Sequence, residues 1–348
     1  MEIKIEDKII GDSYPTFIIA EVGSNFNGSL EKAKELVDLA IEAGADAIKF
    51  QSFIAEKIIC KEAFEDLQLS FQAKWNKSVW ETYKVAEFPR EWHEEVFNYC
   101  KEKDIIFFSS PYDKEAVDLL NDLGCACFKI GSGEISNPEF IKYTASKQKP
   151  IFLGCGATTL SEIEVAVKAI RSTGNHEFAL LQCITNYPSP IEQANILAML
   201  SIKKAFQTIV GYSDHSLGDI VACTAVALGA KIIEKHFTFD KTSKGPDHPH
   251  SLDVPEFKKM VKHIREVEAA LGSYEKNVVA AESETIFLQR RSLFAAKDIP
   301  IGASLTEDMI AILRPQAGLL PKYEKDIIGL KVMKELKKGD PIKWDVFK

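Results

Sequence analysis

The run "GAKIIEKHFTFDK" begins as a buried strand and closes in three ionisable residues, Glu234, Lys235 and His236, with no turn residue before them. Burying polar groups without partners is costly. A strand that ends this way is delivering its side chains to a rim, where they meet one another or a ligand. The same change of character recurs along the chain: Glu21 after "TFIIA", Lys49 and Gln51 after "ADAI", Ser109 and Ser110 after "IIFF", and Lys129, Ser132 and Glu134 around "FKIGSGE". Asn186 and Tyr187 follow "LLQCIT", and Ser213, Asp214 and His215 follow "IVGY". Three kinds of chemistry are on offer. His215 and His236 close neighbouring runs, and two neutral imidazoles on one side of a mouth suit a divalent cation with open positions. Hydrogen-bonded histidines without an ion are the alternative; the acids Glu21, Glu134, Glu234 and Asp247 favour the ion. Lys49 and Lys129 each follow an apolar residue, so both face inward by alternation. A buried lysine needs an anion. An ion pair with Glu21 or Glu134 would serve, but the hydroxyls of Ser110, Ser132 and Ser213 and the glycine-rich backbone of "GSGE" and "GCGAT" favour a phosphate or carboxylate ligand. Finally, "KGPDHPHS" carries Asp247, His248 and His250 on a loop that reads either as mobile and polar or as closing over a substrate.

These residues need a scaffold that converges them. Eight short apolar runs alternate with amphipathic stretches, several opened by a capping residue such as Ser29 or Ser161. Strands alternating with helices give parallel βα units, and eight of them over about 250 residues predict an α/β fold, a (β/α)8 TIM barrel whose site lies at the C-terminal strand ends. No GxGxxG and no Walker-type GK[ST] is present, which argues against a dinucleotide or P-loop fold. The connection from Ile54 to Pro89 carries Trp75, Trp80 and Tyr83 and is expected to be a folded excursion. We expect a catalytic barrel over 1–272, a linker over 273–290, and a second domain over 291–348. That domain is too small for a large core and should lean on the barrel or on another chain.

Composition narrows the function. The 348 residues are 46% hydrophobic and carry a net charge of −8, with no basic block, which points away from nucleic acid. The first ten residues alternate charge with Ile, unlike a signal or transit peptide, and no apolar run approaches transmembrane length, so no membrane partner is expected. Seven cysteines, an odd number lying mostly within apolar runs, suit a reduced cytoplasmic compartment.

Taken in order, "AEVGSNFNGS", "ADAIKFQ", "FKIGSGE", "NYPSP", "GYSDHS", "EKHFT" and "GPDH" resemble the sialic acid (N-acetylneuraminate) synthase family, which includes legionaminic and pseudaminic acid synthases. The tail "RRSLFAAKDIPIGASLTEDMI" resembles that family's antifreeze-like (SAF) C-terminal domain. The resemblance implies condensation of phosphoenolpyruvate with an open-chain N-acyl hexosamine, N-acetylmannosamine favoured, to a nine-carbon 2-keto sugar acid and phosphate. It implies Mn2+ or Mg2+ as cofactor and a domain-swapped homodimer. Carried residue by residue, it makes His215 and His236 the metal ligands. Lys49, Ser110, Lys129, Ser132 and Ser213 would hold phosphoenolpyruvate. Gln51, Asn186, Tyr187, Asp247 and the partner chain's Arg314 would meet the sugar. Glu21 or Glu134 would serve as proton acceptor.

The chain departs from the family pattern where the sugar and phosphate are read. Gly154 and Cys155 stand where Ser and Thr are usual, Phe26 and Gln182 where His is common, and Pro249 and His250 where small or basic residues are commoner. Two other classes compete. A metal-dependent sugar isomerase or epimerase would keep the barrel and the ion but needs no phosphate site. A surface-binding protein acting through the C-terminal module is disfavoured by the charges in "AAKDIPIGASLTEDM".

Overall fold

The computed structural model describes residues 1–65 and 78–348. The chain divides into two compact units, Met1–Gly272 and Ser273–Lys348. Trp75, expected in the excursion after the second barrel strand, lies outside the described residues; the helices Ala55–Ile58, Lys61–Glu65 and Val79–Ala86 occupy the rest of that connection.

The larger unit starts with an antiparallel hairpin, β1 (Glu2–Ile5) and β2 (Lys8–Gly11). Eight parallel strands then close into a barrel: β3 (Phe17–Glu21), β4 (Ala47–Ser52), β5 (Ile106–Pro111), β6 (Phe128–Ile130), β7 (Ile151–Gly154), β8 (Phe178–Cys183), β9 (Ile209–Asp214) and β10 (Ile232–His236). β10 pairs with β3 to complete the ring. Two apolar cores follow from the strand alternation. One face of each strand packs on the surrounding helices, through residues such as Ile18, Ile48, Phe50, Phe128 and Ile233. The other face fills the barrel with Phe17, Ile19, Ala47, Ile106, Phe108, Phe152, Leu181 and Ile232, and Ile3, Ile5 and Ile10 of the hairpin belong to that cluster.

That inner face decides the site. Counting by twos from the filled interior, Ile19 leads to Glu21, Ala47 to Lys49 and Gln51, Phe108 to Ser110, Ile209 to Ser213, and Ile232 to Glu234 and His236. The register sets His236 beside Glu21, Glu21 beside Lys49, and Glu234 beside Ser213. The intervening residues point outward. Lys235 pairs with Asp214 at 2.7 Å, both side chains fully buried, and Ser109 shares a hydrogen-bonded chain with Ser52 and His93. The triplet Glu234-Lys235-His236 thus splits by parity, two groups to the mouth and one to the barrel wall.

The helices are held by local signals. Ser29 caps Leu30–Glu42 as expected. The cap expected at Ser161 is instead Thr159, which forms a capping box with Glu162, placing the helix start at Leu160. All seven cysteines are free. Among the described residues no helix is long and apolar enough to cross a membrane.

The smaller unit has an antiparallel pair, β11 (Ser292–Ala295) and β12 (Ile310–Leu313), and its own core including Leu293, Ile299, Leu305, Ile327, Val332, Leu336 and Ile342. The stretch 273–290, read as a linker, clusters with this unit. It carries the helix Ser283–Gln289, and the Gln316 amide donates to the Phe287 carbonyl at 2.9 Å.

Candidate active site

A cavity of about 420 Å3 opens at the C-terminal ends of the barrel strands. It is lined by Glu21, Lys49, Gln51, Ser110, Lys129, Ser132, Glu134, Tyr187, Ser213, His215, Glu234, His236, Asp247 and His250. A hollow of about 480 Å3 beside Glu6, Asp46 and Asp104 is larger, but it has no comparable set of inward-facing lysines and histidines.

One half of the cavity is a charge network. Lys49 Nζ lies 2.8 Å from Glu21 Oε2 and 3.6 Å from Glu234 Oε1, and donates to Ser110 Oγ at 3.1 Å. Lys129 Nζ lies 3.4 Å from the same Glu234 oxygen, which also accepts from Ser213 Oγ at 2.9 Å. The ion-pair alternative of the sequence reading therefore holds in part, with Glu234, not Glu134, as the shared partner. Glu234 sits at the hub because it is two residues before His236 on the same face. Lys129 is not fully satisfied. Among the described residues Lys129 makes that single ion pair and no hydrogen bond, although an ammonium carries three donors.

Protonation tilts this network positive. Burial pushes the Glu234 carboxyl up, but Lys129 and Lys49 outweigh it and hold it at about 2. The Glu21 carboxyl is raised, by burial first and by the charge of Glu234 as well, with Lys49 opposing. Burial opposes the Lys49 ammonium, yet Glu21 and Glu234 keep it above its ordinary value. Glu134, half-buried on the turn Ser132–Ser136, is raised by burial. Two ammoniums thus face one firmly ionised carboxylate and one that takes up a proton readily. Ser132 Oγ accepts from the Gly156 amide at 2.9 Å and lies 3.0 Å from Cys183 Sγ. A Cβ at Gly154 would stand 2.7 Å from Ser132 Oγ, so the departure from Ser at 154 leaves Ser132 its place.

The other half is a cluster of rings. His215 and His236 lie with centroids 5.6 Å apart, and His250 is 4.8 Å from His236. Tyr187, 39% exposed, packs over His215 at 4.1 Å and stands 5.8 Å from His236 and 5.3 Å from His250. Burial depresses the His215 imidazole to about 4, against the pull of the Ile184 carbonyl and Glu234. His236 is depressed well below its ordinary range by burial and by the neighbouring His250 and His215. The rings are therefore neutral, the form that ligates metals. His215 Nδ1 donates to the Ile184 carbonyl at 2.7 Å, which leaves Nε2 with the lone pair that could ligate a cation.

The donor set suits a divalent cation. Three buried side-chain atoms of residues lining this cavity, Glu234 Oε2, His236 Nδ1 and His250 Nε2, lack a hydrogen-bond partner among the described residues. Native interiors satisfy nearly all such atoms, so a concentration of them marks a place that expects a ligand.

Two sequence expectations come out differently. Asn186 is exposed and does not line the cavity, whereas Thr185 does; β8 ends at Cys183, and strand alternation no longer orients the residues after it. Arg314, expected to reach another chain's site, is an exposed residue of the smaller unit and makes no ion pair or hydrogen bond among the described residues, which leaves that expectation open. The loop holding His248 and His250 is pinned, for His248 bonds Thr238 and Asn27 and is fully buried. Sequence reasoning also missed Tyr112, half-buried at the mouth with its hydroxyl near Gly131; nothing in its local sequence marks it.

The NeuB family model matches residues 36–276, and the SAF domain model matches 290–348. The N,N'-diacetyllegionaminic acid synthase of Campylobacter jejuni is 40% identical over 94% of this chain and 99% of its own length. The pseudaminic acid synthase of Helicobacter pylori is 38% identical over 95% of this chain and 97% of its own. The crystal structure of the N-acetylneuraminic acid (sialic acid) synthetase of Leptospira borgpetersenii, in complex with citrate, superposes with a TM-score of 0.73 at 34% identity, covering 82% of this chain and 95% of that one.

Proposed function

This chain belongs to the NeuB family, and on that premise we propose that it is a nonulosonic acid synthase, condensing phosphoenolpyruvate, an open-chain N-acyl hexosamine and water to a nine-carbon 2-keto sugar acid and phosphate. The observation that carries the reading is one mouth holding both two buried lysines, one of them (Lys129) with donors to spare, and a cluster of neutral imidazoles. An isomerase has use for the second and none for the first.

In this reading Lys49 and Lys129 receive the phosphate and carboxylate of phosphoenolpyruvate, with Ser110, Ser132 and Ser213 as hydroxyl partners. Gln51, Tyr187 and Asp247 face the sugar. A divalent cation, Mn2+ or Mg2+, held by His215 and His236, supplies Lewis-acid polarisation of the aldehyde when bound. The π pair of phosphoenolpyruvate forms the bond from its methylene carbon to the aldehyde carbon. The aldehyde oxygen takes a proton and C2 becomes electrophilic. Water adds at C2 and gives a proton to Glu21 or Glu134, whose raised carboxyls suit a general base. The C2–O bond to phosphate then breaks as the new hydroxyl becomes the ketone. One proton of the water ends on the sugar hydroxyl and the other leaves with phosphate. The two ammoniums stabilise the charge that grows on the leaving group.

The favoured sugar is N-acetylmannosamine. The second reading, a 2,4-diacylamino hexose leading to a legionaminic acid, is favoured by the 40% identity to the Campylobacter enzyme. Arg314 is assigned to a neighbouring chain's site in a domain-swapped homodimer working in the cytoplasm; its exposure without a partner supports that role. The test is phosphate release from phosphoenolpyruvate and Mn2+ across a panel of N-acyl hexosamines. Release that requires one of these sugars supports the reading. Release indifferent to the sugar, or none with any member, refutes it.

A further inference from the structure

His250 is not a strand-tip residue. It sits on the turn His248–His250, and the chain around it is fastened from both sides. Ser251 Oγ donates to the Asp247 carbonyl at 2.6 Å and accepts from Asn25 Nδ2 at 2.9 Å, and the Leu252 amide donates to the His236 carbonyl at 2.8 Å. This places the His250 ring, 3% exposed, 4.8 Å from that of His236. One donor atom from each of His236, Asp247 and His250 lies within 4.8 Å of the other two.

The carboxylate is aimed. Asp247 Oδ2 accepts from both the amide and the hydroxyl of Ser24 at 2.8 Å, which leaves Oδ1 turned towards His250 Nε2 at 3.8 Å. That gap is too long for a hydrogen bond. Gly23, at φ +54°, keeps the approach clear: a Cβ there would stand 2.4 Å from Asp247 Oδ2 and 3.3 Å from His236 Cε1. His236 Nδ1 and His250 Nε2 are both buried and have no partner. Two imidazoles and a carboxylate oxygen, buried together or held by Ser24 and none bonded to the others, describe a ligand set.

We propose that Asp247 and His250 join His236 as ligands of the divalent ion read above as held by His215 and His236, a first-row transition ion, so that both are metal ligands and not rim residues of the sugar site. Two imidazoles and one carboxylate with open positions favour such an ion over Mg2+, which takes oxygen donors and keeps its water. The inference deepens the functional reading above, because it concerns the same mouth, but it makes a claim about binding that needs no substrate.

The experiment is isothermal titration of Co2+ and of Mg2+ into metal-stripped full-length protein without substrates, for wild type, His250→Ala and Asp247→Asn. Wild type should bind Co2+ at least about 10-fold more tightly than Mg2+, and each substitution should weaken Co2+ by at least about 10-fold while the apo melting curve stays cooperative. Equal affinities for the two ions, or wild-type Co2+ affinity in a folded His250→Ala protein, overturns the proposal. If His250→Ala does not fold, His250→Gln decides through the visible Co2+ spectrum: a changed band supports ligation, and a wild-type spectrum overturns it. Loss of sugar-dependent phosphate release in a wild type that still binds Co2+ through His250 would refute the functional reading and leave this assignment standing.

Discussion

Replacing Glu234 by Gln removes the one carboxylate that both buried lysines share. The side chain keeps its shape, so the change is mainly electrostatic. The Glu234 carboxyl is held at about 2 against a reference of 4.5, and at roughly 1.4 kcal/mol per pKa unit that difference is worth about 3 kcal/mol of folding stability at neutral pH. The folded value is depressed, so this stability is present above pH 4.5 and is lost as pH falls towards 2. Leaving two ammoniums short of a counter-charge costs a similar amount, about 3–5 kcal/mol for a broken buried pair. For a domain of this size the expected fall in Tm is about 6–12 °C. Inorganic phosphate should restore more of that loss in Glu234→Gln than it adds to wild type, because the anion then faces Lys49 and Lys129 with less competition. The assay is a melting curve with and without phosphate at pH 7.5. A Tm within about 2 °C of wild type, or an equal phosphate increment in both proteins, would refute the picture of two charged lysines gathered on one carboxylate.

Lys129→Met should leave the fold intact and raise the KM for phosphoenolpyruvate at least about 10-fold with little change in that of the sugar, because Lys129 is the ammonium with donors to spare; steady-state kinetics in both substrates check it. Arg314→Ala should raise the sugar KM far more than that of phosphoenolpyruvate, and equal effects would contradict its assignment to the sugar end. His93 is fully buried, bonds Ser52 and the Pro89 carbonyl, and is depressed to about 4 by burial, opposed by its backbone acceptors. A depressed folded value means the stability it brings, about 3 kcal/mol, is present above pH 6.5 and lost as pH falls through 4. Urea midpoints between pH 7 and 4 should therefore fall more steeply in wild type than in His93→Gln.

The barrel and half of its mouth are legible in the sequence because one rule generates both. Strand alternation orients side chains without regard to tertiary detail, so Glu21, Lys49 and Ser110 follow from the apolar residues two places before them, and Ser213 and His236 from Ile209 and Ile232 four places before. The same rule, applied through "EKH", would have sent Lys235 outward to Asp214 and made Glu234 the hub. The rule stops where strands stop. Asn186 and Thr185 exchange places in a loop, and His250 reaches the imidazole cluster only through hydrogen bonds between segments far apart in sequence, Asn25 with Ser251 and Asn27 with His248. The cap at Thr159 in place of Ser161 is a different failure: both residues can cap, and the glutamate three places on selects between them.

The most direct measurement is diffraction from crystals grown with Mn2+ and phosphoenolpyruvate, with the manganese located by its anomalous signal. The account predicts manganese at ligand distance from His236 and the phosphate oxygens against Lys49 and Lys129 in the same cavity. Phosphate bound elsewhere, with both ammoniums still paired to Glu21 and Glu234, would contradict it.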